Sequence, residues 1–252
     1  MKKILFIGIL LITVIGYAQG EALFNRATEA YNAGDYQKAI DNYLEILEDG
    51  QHSAELYYNL GNTYYKLNQI APSIYYYEKA LLLKPNDAEI TNNLAYAQNM
   101  TLDAIDTMPE TGLSKIYQNV VGFLSFDQWA YVGVVFMVLF VLLYIAFYYF
   151  RYSSRKRIAF ITSIITLLIC IVSVVFAFVQ YNKFKADGPA IVFANESSVK
   201  SEPNKRSQEA FALHEGTKVN VLDELNDWKK IRIADGTTGW IPSEDIKLLK
   251  DF

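Results

Sequence analysis

Two stretches of the chain, Trp129 to Phe150 and Ile158 to Val179, each run 22 residues without a charge. At about 1.5 Å per residue a helix of that length reaches roughly 33 Å, enough to cross a hydrocarbon core of about 30 Å. Tyr131, Tyr148, Tyr149, Tyr152 and Tyr181 lie near the ends of the two stretches, where amphipathic rings favour the membrane interface. Between the stretches stand residues 151–157, which carry Arg151, Arg155, Lys156 and Arg157 and no acid. Short basic loops stay in the cytoplasm, so a hairpin of spans at 129–150 and 158–179 is expected to leave both flanking regions on the far side.

The N-terminus points the same way. Lys2 and Lys3 precede an apolar run from Ile4 to Ile15, followed by small residues at Gly16 and Ala18. That run is too short for a span and reads as a secretory signal peptide over 1–18, cleaved after Ala18; no cysteine stands near the cut to carry a lipid anchor. Cys170, the single cysteine, falls inside the second span, which excludes an intramolecular disulfide. Glu21 to Gly112 holds 14 acidic and 5 basic residues, a net of −9, and Asn182 to Phe252 holds 12 and 11. Neither balance suits a nucleic-acid partner.

The acidic region repeats with a period of 34: Ala39 and Ser73, Tyr43 and Tyr77, Leu60 and Leu94, and Ala27, Gly61 and Ala95 all stand that far apart. The unit "AELYYNLGNTYYKLNQIAPSIYYYEKALLLKPN" resembles the tetratricopeptide repeat at Tyr57, Leu60, Gly61, Tyr64, Tyr77, Ala80 and Pro85. It departs at Ser73, where that family prefers alanine. A small residue at Gly61 lets two helices approach, and Pro85 ends the second of them. Residues 19–107 are therefore expected to be an all-α domain of two repeats and a capping helix.

The resemblance implies a concave groove lined by Phe24, Thr28, Tyr31, Tyr58, Asn62, Tyr65, Asn92 and Tyr96. Its aromatic share suits an extended peptide or partner helix. Phe24 and Thr28 stand where a carboxylate-binding version would carry lysine and asparagine, which argues against that specialisation. Ordinary repeat packing is the alternative use for any one of these tyrosines.

After "MPETG", residues 113–128 place Leu113, Ile116, Val120, Phe123, Leu124 and Phe126 at spacings of three and four, predicting an amphipathic helix at the interface. In the tail, "AIVF", "TKVNVLDE", "WKKIRIA" and "TTGWIP" alternate as half-buried strands, with Asp235-Gly236 as a turn. Residues 187–252 are similar to a small bacterial SH3-type barrel, most specifically in "LHEGTKVNVL" and "GWIPSEDI", with Val199, Lys200, Ser201 and Pro203 in a further family element. That likeness implies a central hairpin and core built from Trp228, Ile231, Gly239, Trp240 and Ile241. It also implies a shallow surface for peptide or peptidoglycan at Trp228, unless that ring merely covers the core.

No catalytic, cofactor or metal constellation emerges. There is no extramembrane cysteine, no phosphate-cradling glycine loop, and His52 and His214 lie in different regions without companion ligands. The order signal peptide, repeats, basic-loop hairpin and barrel resembles the BatE family of bacterial aerotolerance operons. That resemblance implies a non-enzymatic scaffold in the inner membrane with both soluble domains periplasmic. Its implied partners are von Willebrand A-domain membrane proteins and a MoxR-type ATPase, in an envelope-stress system. The competing expectation is a cell-wall tether, in which the barrel grips peptidoglycan and the repeats recruit a wall enzyme.

Overall fold

A computed structural model describes residues 20–105 and 112–250. The signal-peptide segment 1–18 lies outside the described residues. The described chain forms two compact units: residues up to 105 together with those from Gly188 onward, and the segment 112–187 between them.

In the first unit, α1 (residues 20–32) pairs with α2 (Tyr36–Glu48), and α3 (Ala54–Lys66) with α4 (Ile70–Leu83); α5 (Ala88–Gln98) comes next. Local chemistry sets the ends. Ser53 accepts the amide of Leu56 to cap α3, and Asp87 accepts those of Glu89 and Ile90 to cap α5, two caps 34 residues apart. The antiparallel helices meet at Gly61, where a Cβ would stand 2.5 Å from the Tyr77 ring. Ser73 explains its departure from alanine: fully buried, it donates a 2.9 Å hydrogen bond to the Gly61 carbonyl. Leu23, Ala27, Ala39, Ile40 and Tyr43 of the first helical pair make one core with Leu56 and Leu60 of α3.

The tail supplies seven antiparallel strands, β1 (Gly188–Val192), β2 (Glu196–Lys200), β3 (Glu209–His214), β4 (Lys218–Leu225), β5 (Trp228–Arg232), β6 (Thr238–Pro242) and β7 (Ile246–Leu248). Their order is β3-β2-β6-β5-β4-β1-β7. Val192, Val199, Leu213, Val219, Ile231 and Ile241 fill the centre. The β5–β6 hairpin pairs Ile231 with Gly239, where any Cβ would meet Val199 at 2.5 Å. Trp228 and Trp240 are only half-buried, so the core belongs to the aliphatic residues rather than to the two indoles.

The helices and the sheet were expected as separate domains, yet they share a core. Ile191 of β1 and Leu249 sit fully buried in one cluster with Tyr57, Ile74, Tyr75, Ile90 and Leu94. Around this seam Tyr75 meets Phe193 edge to face at 5.5 Å, and Glu78 binds Lys218 at 2.6 Å. After α5 the chain runs as a strap against the barrel, where Asp103 accepts the backbone N–H of His214 at 2.7 Å and the Thr217 hydroxyl at 2.5 Å, and its other oxygen lies 2.6 Å from His214 Nδ1. Ile105 packs on the barrel core. Gly216 at φ +87° completes the fit, since a Cβ there would press on Thr101 and Ile74.

The second unit contains α6 (Gly112–Val120), α7 (Phe126–Tyr149) and α8 (Ser153–Ala186). Both α7 and α8 are long and apolar enough to cross a membrane. Three boundaries differ from those expected. The amphipathic helix stops at Val120, not at residue 128, because Gly122 and a reciprocal cap between Ser125 and Gln128 start a new helix at Phe126. The turn is only Phe150–Tyr152, so Arg155, Lys156 and Arg157 ride on the beginning of α8. And α8 runs on past Val179 to Ala186, over a total of 34 residues. Its Gln180 donates to the carbonyls of Val121 and Leu124 and Trp129 Nε1 donates to Val121, which pins the turn between α6 and α7 to the two long helices. Ala159, Ser163, Cys170 and Ser173 form a small-residue face on α8, and Gly133 of α7 approaches Ser173 and Val174 there.

Candidate partner-binding site

A tyrosine and asparagine cleft of about 300 Å³ opens between α1, α3 and α5, lined by Tyr31, Tyr58, Asn62, Tyr65, Tyr96 and Asn93, with Lys66 at its edge and Tyr77 behind. It is built by repetition. In the first pair of helices Phe24 meets Tyr43 at 5.5 Å and Thr28 bonds the Tyr43 hydroxyl at 3.1 Å. In the second pair Tyr58 meets Tyr77 at 6.0 Å and Asn62 accepts the Tyr77 hydroxyl at 2.6 Å. Each member of the second set stands 34 residues after its counterpart in the first.

The larger polar groups of the second set extend the network to α5. Asn93 donates to Asn62 Oδ1 at 2.9 Å and to the Tyr58 hydroxyl at 2.8 Å, while Tyr58 donates to Glu89 at 2.6 Å. With both hydrogen bonds into Asn62 Oδ1, that amide is oriented. Burial, together with the Glu89 hydrogen bond, raises the Tyr58 hydroxyl pKa above its ordinary value, and burial raises those of Tyr43 and Tyr77 as well. All three are neutral donors at physiological pH.

Of the residues expected in the groove, Tyr31, Tyr58, Asn62, Tyr65 and Tyr96 line this cleft. Phe24 and Thr28 are used in the first pair's packing, beside a second and larger hollow lined by Phe24, Glu21, His52 and Leu56. Asn92 is a correction. It is solvent-exposed, and the neighbouring Asn93 faces α3 instead. Counting 34 from Tyr58 reaches Asn92, but the position works in the earlier repeats by meeting a tyrosine of the next helix. After α5 the chain departs along the barrel as the Asp103 strap, so the position is left in solvent. Asn93 is the α5 groove residue missed, and Glu89 the acceptor that holds Tyr58; the offset of four between them was the available signal.

On the barrel, Trp228 pairs with Pro242 and sits half-buried at the start of β5, after a tight turn in which Asn226 takes φ 53°. Arg151, Arg155, Lys156 and Arg157 are all exposed or at an edge around the hairpin turn. Among the described residues no group of three or more histidine, cysteine or acidic side chains is placed to hold a metal.

The tetratricopeptide repeat model matches residues 54–87, which are α3, α4 and the turn after them. The bacterial SH3 domain model matches residues 196–247, from β2 into β7. A comparison with curated proteins returns no match. The chain therefore contains a tetratricopeptide repeat and a bacterial SH3 domain, and the first helical pair is added to the repeat by geometry alone.

Proposed function

We propose that the protein is a non-enzymatic membrane scaffold facing the periplasm, whose tyrosine and asparagine cleft holds a segment of a partner protein. The observation carrying this reading is the cleft itself. Four phenol rings, Tyr31, Tyr58, Tyr65 and Tyr96, line it around an asparagine whose amide is already oriented by Tyr77 and Asn93. Tyrosine buries ring area while keeping its hydroxyl bonded, and the Asn62 amide can donate to the backbone of an extended segment.

The topology is supported by two independent features. Residues before the hairpin and after it fold into one unit, which requires them to occupy one side of the membrane. The basic turn favours the cytoplasm for the other side. Domain order supports a place in a Bat-type envelope-stress complex, with von Willebrand A-domain membrane proteins and a MoxR-type ATPase system as the proposed partners.

The tether reading draws on the bacterial SH3 match and on the half-buried Trp228. Crosslinked pull-downs from membranes separate the two. Changing Tyr58 and Tyr65 together to alanine is expected to lose the co-purifying membrane protein while membrane integration persists. If that variant keeps every partner and Trp228→Ala instead loses peptidoglycan, the tether replaces the scaffold.

A further inference from the structure

The cations at the hairpin turn have no carboxylate near them in sequence. Between Asp127 and Asp187 the sequence contains neither aspartate nor glutamate, so Arg151, Arg155, Lys156 and Arg157 concentrate positive charge in a segment without acids. Two of them line a concavity. Lys156 and Arg157, with Ser153, Phe147 and Phe160, surround an open pocket of about 430 Å³. The two phenylalanine rings lie 5.4 Å apart, one from each helix, and Lys156 Nζ stands 5.2 Å from the Phe147 centroid. Arg155 is turned elsewhere, over the Tyr152 ring at 5.5 Å.

A pocket lined by two aromatic rings, two cations and a hydroxyl fits a ligand of matching polarity. It needs an anionic oxygen cluster joined to hydrocarbon. Guanidinium and ammonium groups both bind phosphate oxygens, and a basic pocket between spanning helices selects acidic headgroups. We propose that this pocket binds the headgroup phosphate of an anionic phospholipid in the leaflet surrounding the turn, with the upper acyl chains against Phe147 and Phe160. A zwitterionic lipid brings its own cation into the same positive field and is disfavoured there. The proposal rests on α7 and α8 being membrane spans, and is independent of what the repeat cleft binds.

The test uses the full chain purified in neutral detergent, so that insertion orientation plays no part, with native mass spectrometry as the readout. Phosphatidylglycerol and phosphatidylcholine are added at equal concentration. Retention of the anionic lipid over the zwitterionic one is expected, and it should weaken as salt rises. K156Q/R157Q should lower that retention about 25-fold, at roughly fivefold per basic group. R151Q/R155Q, which keeps the pocket's own cations, should lower it less. Glycerol 3-phosphate, the headgroup without its chains, should fail to displace the bound lipid. Equal retention of the two lipids, or equal loss in the two double variants, overturns the site. Full displacement by glycerol 3-phosphate overturns the lipid assignment. Release of the chain from membranes by alkaline carbonate would instead remove the spanning reading itself, and the site with it.

Discussion

At the scale of single residues, the repeat is held by contacts that tolerate almost no change of size. Gly61 faces the fully buried Tyr77 so closely that even one methyl group at 2.5 Å must displace the ring. Tyr77 is itself tied to Asn62, so moving the ring also disturbs the cleft. Overpacking of this kind costs about 1 to 3 kcal/mol, so Gly61→Ala is expected to lower the thermal midpoint of the soluble unit and Gly61→Leu to lower it further. An unchanged midpoint for both would show that α3 and α4 do not approach here. The neighbouring asparagines offer a paired comparison. Asn93→Ala removes two hydrogen bonds and should cost about 1 to 2 kcal/mol, whereas Asn92→Ala, at an exposed position, should leave the unfolding curve where it was.

Among the elements, the strap after α5 brings a carboxylate, Asp103, against a histidine of the barrel, His214. Burial alone would raise the Asp103 pKa, but the His214 backbone N–H, the Thr217 hydroxyl and the His214 ring together hold it below the usual carboxylate value. The hydrogen bond to Asp103 holds the His214 pKa above its ordinary value, with Glu196 adding to the effect. A raised histidine pKa stabilises the fold fully below the unfolded value of about 6.5 and loses that contribution as pH rises through the folded value. The lowered Asp103 pKa stabilises above about 3.9 and fails as pH falls through its own folded value. The strap is therefore firmest between about pH 4 and 6.5. Unfolding of the full chain should occur at higher temperature near pH 6 than near pH 8, and His214→Gln should flatten that difference. A wild-type slope matching that of the variant would remove His214 as its cause.

Periodicity made α3, α4 and the two apolar helices legible, because Gly61, Tyr77 and Pro85 mark one unit and an uncharged run marks a span. It failed where an element depends on its successor in the chain. Asn92 kept its period while losing its partner helix, and Arg155 to Arg157 looked like loop residues although Ser153 already starts α8. Strands β2 and β3 carry no strong alternation around Ser197 and Glu209, and β7 has only three residues.

For the whole molecule, the seam between helices and sheet left no trace in sequence. Alternation in "AIVF" says that Ile191 is buried on one face, and nothing local says that the other wall is Ile74 and Tyr75, more than a hundred residues earlier. Large-to-small changes measure that wall. Ile191→Ala and Leu249→Ala are each expected to cost about 2 to 5 kcal/mol, and the loss should appear as faster amide exchange in α4 as well as in β1. Exchange that rises in the barrel alone would mean the helices fold without it.

The same seam dictates an order of events during synthesis. The repeats emerge first, and the two apolar helices follow them before β1 and Leu249 exist to cover Tyr75 and Ile74. Until β1 and Leu249 arrive, a patch of the helical core stands open to water. Maturation of the protein thus waits on Leu249: a nascent chain stalled or cut before it would leave that patch open to holdase chaperones and proteases, although α1 to α8 had already formed.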